Sequence, residues 1–182
     1  MGFDMQYHLN GFRAGDPSVA PATRKARSDY VDVLIVGCGP AGLTLATQLS
    51  AFGDISTRII ERKTGPLEFG QADGIACRSV EMFNAFGFAE RVIKEGYQVN
   101  EVCFWRPGPD GTPLTRADRI QDVEDDLSEM PHIILSQARI HDFYLETMAK
   151  SPRRLAPEYN RELVSLTRTD SHDFPVEANV AC

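Results

Sequence analysis

The sequence predicts an α/β fold organised around a parallel βαβ unit, and three observations predict it. "DVLIVG" (32–37) is a continuous apolar run, the pattern of a strand buried on both faces. A glycine-rich turn and a helical stretch follow it directly. A second short apolar strand, "TRIIER" (57–62), comes next. Strand, glycine turn, helix and strand in about 30 residues make a crossover unit, which pairs its strands in parallel.

The elements follow in order. Residues 1–30 are polar and rich in Pro, Ala and Arg, with Pro17 and Pro21 opposing regular structure, so they read as an N-terminal extension to a domain over 31–182. After the first strand, Leu45, Ala46 and Leu49 fall at helical spacing, and Gly53 supplies a stop. "EFGQADGIACRS" (68–79) is a glycine-bearing loop. A helical stretch over 78–95 has Val80, Phe83, Phe86 and Val92 as apolar points and a break near Gly87. Residues 100–116 alternate as a hairpin about "PGPDG", with Phe104 and Trp105 as its packing. This adds a small antiparallel piece to the parallel sheet. "PHIILSQ" (131–137) is another short strand. Ile140, Phe143, Tyr144, Thr147 and Met148 then mark an amphipathic helix over 136–150, with Ser136 as its N-cap. "ELVSLTR" and "FPVEANV" are strand-like runs in the tail. No internal repeat is present.

Composition narrows the function classes. The chain has 182 residues and a net charge of −7, which argues against a nucleic-acid surface. The acid concentrates in "DRIQDVEDDLSE" (118–129), read as a solvated loop. No apolar run approaches the ~20 residues of a membrane span. No basic stretch followed by an apolar one marks a signal peptide at the N-terminus. Gly2 lacks the Ser or Thr that myristoylation wants, because Gln6 stands there. Cys38, Cys77, Cys103 and Cys182 show no metal spacing and read as free thiols in a reducing compartment, which places the protein in the cytoplasm. No metal site is expected.

The glycine turn is G-x-G-x-x-G: Gly37, Gly39 and Gly42, with Pro40 and Ala41 between. Gly37 lets the chain turn off the strand. Gly39 lets the backbone approach a pyrophosphate. Gly42 and Ala46 keep the helix close to the sheet. The amides at the helix start and the helix dipole both favour an anion. Glu61 stands 19 residues after Gly42, at the end of the next strand. A carboxylate there accepts hydrogen bonds from two ribose hydroxyls and repels a 2′-phosphate. Pyrophosphate with an unphosphorylated ribose means FAD or NAD.

Resemblance decides between them. "VDVLIVGCGPAGLTLA", "IIERK", "GQADGIACRSVEMFNAFG" and "ILSQARIHDFYLE" occur in the order and spacing of the flavin-dependent aromatic hydroxylases. These are the class A FAD monooxygenases of the phenol hydroxylase branch. The resemblance runs from Met5 to about Glu177, and "GQADGIACR" is its most specific segment. It implies a Rossmann-like FAD-binding domain, FAD as bound cofactor and NAD(P)H as visiting reductant. It also implies O₂ and a small phenol such as 3-hydroxybenzoate as substrates, and a homodimer for the full-length form. Members of the family continue far beyond residue 182, so the resemblance implies an N-terminal portion, incomplete at its C-terminus. The alternatives are a non-catalytic nucleotide-binding module or remnant and, more weakly, an NAD-dependent dehydrogenase, which provides no reason for "GQADGIACR" and "SQAR".

The resemblance assigns residues as follows. Gly37, Gly39, Pro40, Ala41, Gly42, Glu61 and Arg62 would hold the ADP half of FAD. Gln71, Gln137 and Arg139 would also contact the cofactor. An arginine in a helix's first turn opposes the dipole, and a phosphate would compensate. Asp73 would orient the phenol hydroxyl and help its deprotonation. Its plainer role is a turn aspartate between Gly70 and Gly74. His132 would help bind a substrate carboxylate. Arg78 is as well suited to capping or pairing at a helix start. His141 and Asp142 read as surface residues.

Overall fold

The computed structural model describes residues 19–22, 28–111 and 113–182. Most of the expected N-terminal extension, and Gly2 and Gln6 with it, lies outside the described residues. The chain divides into two compact units, one formed by the segments up to Glu68 and from His141 onward, the other by Phe69–Ile140.

The first unit contains the βαβ core. Strand β1 (Val33–Val36) and strand β2 (Thr57–Ile60) pair in parallel, Val33 opposite Thr57 through Val36 opposite Ile60, and helix α1 (Pro40–Ser50) connects them. The burial of β1 differs from the two-faced pattern read from its apolar run. Ile35 is buried, but Val36 is 52% exposed. Among the described residues β1 has β2 as its ladder partner and no strand on its other edge.

The phase of α1 also differs from expectation. Its buried face is Leu43, Ala46, Thr47 and Ser50, whereas Leu45 is 46% exposed. Small side chains bring the helix down on the sheet, and the stripe 43–46–47–50 is the i, i+3, i+4, i+7 face that meets it. The helix ends at Ser50, before Gly53.

Beside β2 runs the stretch 158–161. Ile60 bridges Glu158, the Glu61 amide donates to the Glu158 carbonyl, and the Arg161 amide donates to the Glu61 carbonyl. Arg58 fastens the same stretch by a two-pronged ion pair to Glu158, both bonds 2.8 Å. Strands β8 (Glu162–Arg168) and β9 (Val176–Ala181) form an antiparallel hairpin in this unit.

The second unit holds a three-stranded antiparallel sheet. Its order is β3 (Gly74–Ile75), β7 (His132–Ile134), β4 (Tyr97–Val99). Helices α2 (Cys77–Ala85) and α3 (Ala89–Glu95) accompany it. The break expected near Gly87 falls there, with Gly87 at φ +82°. Val80, Phe83, Phe88 and Val92 are buried, and the Phe83 and Phe88 rings stack at 4.9 Å. The hairpin β5 (Glu101–Arg106) and β6 (Thr115–Gln121) turns through Pro109–Gly111.

Two expectations are corrected here. The first four residues of the acidic segment, 118–121, belong to β6 rather than to a loop, because they pair with β5. Phe104 and Trp105 are 50% and 60% exposed rather than packed, on either side of a register shift. Helix α4 (Gln137–Lys150) follows β7 and runs on into the first unit. Ile140, Phe143, Tyr144 and Met148 form its buried face, as the spacing predicts. Among the described residues no helix is long and apolar enough to cross a membrane.

Candidate cofactor and substrate site

The glycine turn has the geometry that a phosphate cradle requires. Gly37 sits at φ +99°, a left-handed conformation that side chains other than glycine's rarely adopt. A Cβ on Gly37 or Gly39 would meet nothing within 4 Å, so the space in front of the turn is open. Gly42 is different. A Cβ there would collide with the Gly37 carbonyl oxygen and come within 3.4 Å of Ile35 Cγ2. Pro40 opens α1 at a position whose amide has no helical acceptor in any case. The amides of Ala41 and Gly42 in the same first turn have no helical acceptor either and are left for an anion.

Glu61 is tied to this turn. Its Oε2 accepts the Cys38 amide at 2.8 Å, and its Oε1 accepts the Lys63 amide at 3.0 Å. The Gly37 amide donates to the Ile60 carbonyl at 2.7 Å, which fastens the turn to the end of β2. Burial alone would raise the Glu61 pKa. The two amides, with Lys63 and Arg62 nearby, outweigh it and hold the carboxyl below its usual range. The carboxylate therefore stays ionised. With two amides bound it still has lone-pair capacity for hydroxyl donors. Arg62 is exposed beside it. Cys38, in the turn itself, is buried, and burial followed by the Glu61 charge pushes its thiol up to about 12. It stays protonated and unreactive.

Two further groups in this unit were not foreseen as part of the site. His141 is 5% exposed, so its reading as a surface residue is corrected. Burial lowers its pKa against the opposing pull of Asp142 and Glu61. Its Nε2 is buried without a hydrogen-bond partner. The signal that would have found it is the stripe His141, Tyr144, Met148, at i, i+3 and i+7 along the buried face. The second group is Tyr159. Its buried hydroxyl lacks a partner, and burial, Cys38 and Glu61 together push it up to about 12. Tyr144, by contrast, bonds Thr44 of α1 at 2.6 Å between hydroxyls.

In the second unit the loop 70–74 lies against α4 and β7. The Gln71 amide donates to Gln137 Oε1 at 2.9 Å. A Cβ on Gly70 would sit 2.6 Å from Gln137 Cβ, so the loop reaches the helix start only because residue 70 is glycine. Leu135 donates its amide to the Asp73 carbonyl at 2.8 Å. The Asp73 side chain is exposed, and among the described residues no hydrogen bond reaches its carboxylate. His132 on β7 bonds Asp122 through Nδ1 at 2.8 Å. Arg139 in the first turn of α4 is paired with Glu95, Nε to Oε2 at 2.6 Å, which compensates its charge against the helix dipole. Arg78 pairs with Glu81 one turn on, at 2.8 Å.

A βαβ crossover with an open glycine turn and an ionised carboxylate tied to it defines a dinucleotide-binding domain. Residues 30–180 match the FAD binding domain family, and the chain belongs to it. Among its relatives, it is 55% identical over 181 residues to 3-hydroxybenzoate 4-monooxygenase of Comamonas testosteroni, covering 94% of this chain and 28% of that protein. It is 38% identical over 156 residues to the FAD-dependent monooxygenase terD of Aspergillus terreus, covering 82% of this chain and 25% of that one. The chain thus spans about a quarter of the length of these relatives. The flavin-dependent monooxygenase PieE, solved in complex with FAD and substrate, superposes with a TM-score of 0.65 over 88% of this chain and 27% of its own, at 24% identity. The p-nitrophenol 4-monooxygenase PnpA from Pseudomonas putida DLL-E4 gives 0.67 over 81% of this chain and 35% of its own, at 17% identity. These two likenesses show the fold.

Proposed function

We propose that this domain holds the ADP half of FAD in a monooxygenase that hydroxylates a small phenol, 3-hydroxybenzoate being the first candidate, with NAD(P)H and O₂. The observation that carries the reading is the Glu61 carboxylate, ionised and bonded to the Cys38 amide, beside the open turn at Gly37 and Gly39. Gly37, Gly39, Pro40, Ala41 and Gly42 would receive the pyrophosphate. Glu61 would take the ribose hydroxyls, and Arg62 would lie near the adenosine. Gln71, Gln137 and Arg139 are assigned to FAD by likeness to the family. FAD, where bound, would supply the redox chemistry that links NAD(P)H and O₂. The 55% identity to 3-hydroxybenzoate 4-monooxygenase supports the substrate class.

This chain's own residues would manage the phenol. The Asp73 carboxylate is exposed and unengaged by the protein among the described residues, which suits a proton acceptor better than a turn cap. His132 would meet a carboxylate on the ring. A full-length form is proposed to be a cytoplasmic homodimer. A non-catalytic FAD-binding module is the other reading, and it predicts flavin retention without turnover.

The test is Asp73→Asn in the FAD-loaded full-length protein, assayed for catechol formation from 3-hydroxybenzoate. Loss of the proton acceptor is expected to slow hydroxylation by ~10²–10⁴ while flavin is retained. The loss should shrink as pH rises toward the phenol's own pKa. An unchanged rate at neutral pH would leave Asp73 as a turn residue.

A further inference from the structure

His132 and Asp122 form a pair that the sequence reading did not contain. His132 stands at the start of β7, opposite Val99 of β4. Asp122 directly follows β6, and its amide donates to the Asn100 carbonyl at 3.0 Å, which anchors it at the base of the β5–β6 hairpin. Its Oδ2 lies 2.8 Å from His132 Nδ1, with the aspartate side chain 15% exposed and the histidine 30%. An ionised carboxylate only accepts, so Nδ1 carries the proton in this bond. The other ring nitrogen then faces the β3 side of the sheet.

The ladder explains why the ring fits there. Gly74 pairs with Ile134, so His132, two residues before Ile134, is its diagonal neighbour on the same face. A Cβ on Gly74 would come within 3.3 Å of His132 Nε2. Glycine at 74 thus makes room for the ring immediately beside Asp73.

We propose that Asp122 is a positioning residue that fixes His132 as the recognition point for a carboxylate on the phenol substrate. The proposal rests on the functional reading above. Between Asp122 and a substrate carboxylate, the ring faces an acceptor at each nitrogen. Each nitrogen would then act as a donor, one to Asp122 and one to the substrate. Asp122 supplies the fixed carboxylate that orients the ring, as outer carboxylates orient histidines elsewhere. The competing role is a strut between the hairpin and β7, which would serve every substrate equally.

The experiment compares Asp122→Asn with the unaltered full-length, FAD-loaded protein on 3-hydroxybenzoate and on phenol. Loss of one charge-assisted bond should raise KM for 3-hydroxybenzoate and lower its kcat/KM relative to phenol by about tenfold. Asp122→Glu, which keeps the charge, should restore part of that ratio. Should Asp122→Asn fail to retain flavin, Asp122→Glu and His132→Gln read the same ratio. A ratio that stays constant while both substrates lose equally, or neither loses, overturns the positioning role and leaves the strut. Turnover of neither phenol by the unaltered protein would overturn the functional reading, and this inference with it.

Discussion

The two glycine-bearing loops of this chain use glycine for different reasons. In the turn at 37–42 the demands are local. Gly37 takes a left-handed φ, and Gly42 is pressed against the carbonyl of Gly37 itself. In the loop at 70–74 the demands come from far along the chain. Gly70 is pressed against Gln137, Gly74 accommodates His132, and 66 positions separate Gln71 from the Gln137 side chain that holds it. A local demand leaves a spacing that a sequence displays. A distant one leaves only isolated glycines, which look like turn residues.

Substituting one glycine in each loop tests that contrast, and the first loop should give the larger effect. In Gly42→Ala the new Cβ meets backbone, which cannot move without separating α1 from β1. A loss of about 3 kcal/mol or more in unfolding free energy is expected, together with loss of ADP binding if the same backbone forms the proposed cradle. Gly70→Ala meets the Cβ of Gln137 and, at 3.0 Å, its amide nitrogen, away from the glycine turn, so about 1–3 kcal/mol is expected, with ADP affinity retained. Chemical denaturation with ADP titration reads both. If Gly70→Ala abolished ADP binding and Gly42→Ala spared it, the division between the loops would be wrong.

The same contrast governs what the sequence made legible. The crossover, the glycine turn and Glu61 were readable because strand, turn and helix are consecutive and each constrains the next. The buried stripe of α4 was readable at Ile140, Phe143, Tyr144 and Met148 for the same reason. The Asp122–His132 pair was not, since it depends on how a hairpin meets another strand. Glu95 as the partner of Arg139 was also hidden, because a charge at a helix start looks the same whether an ion or a side chain answers it. The exposure of Val36 and Trp105 depends on which edges and faces are covered, a property of the assembled sheets rather than of the runs themselves.

Glu61 offers a pH test of the local region. Its folded pKa lies below the usual range, where an unfolded glutamate titrates. The stabilisation is therefore fully present above the ordinary carboxylate pKa and is lost as pH falls through the depressed folded value. ADP affinity should follow the same course, because a protonated carboxyl accepts ribose hydroxyls poorly. Glu61→Gln should weaken ADP binding by about tenfold at neutral pH and flatten its acid dependence. Calorimetric titration across the acid range checks both. An acid dependence that persists in the variant would mean that another group controls it.

The smallest expected effect belongs to His141, which lies in the first unit with a buried Nε2 that nothing bonds. Burial holds its pKa below the ordinary imidazole value. Above the ordinary imidazole range both folded and unfolded chains carry it uncharged, so it contributes no proton linkage there. As pH falls through the ordinary imidazole range, the unfolded chain takes a proton that the folded chain does not, and stability declines. His141→Leu removes that acid-side decline and replaces an unsatisfied polar atom by an apolar group of similar size. At neutral pH the variant should be as stable as the parent or more stable by up to about 1 kcal/mol. Urea unfolding on both sides of the imidazole range reads the sign directly. A neutral-pH loss of several kcal/mol would show that Nε2 has a partner in solution. A polar contact from His141 would then support this unit alongside the Tyr144–Thr44 bond.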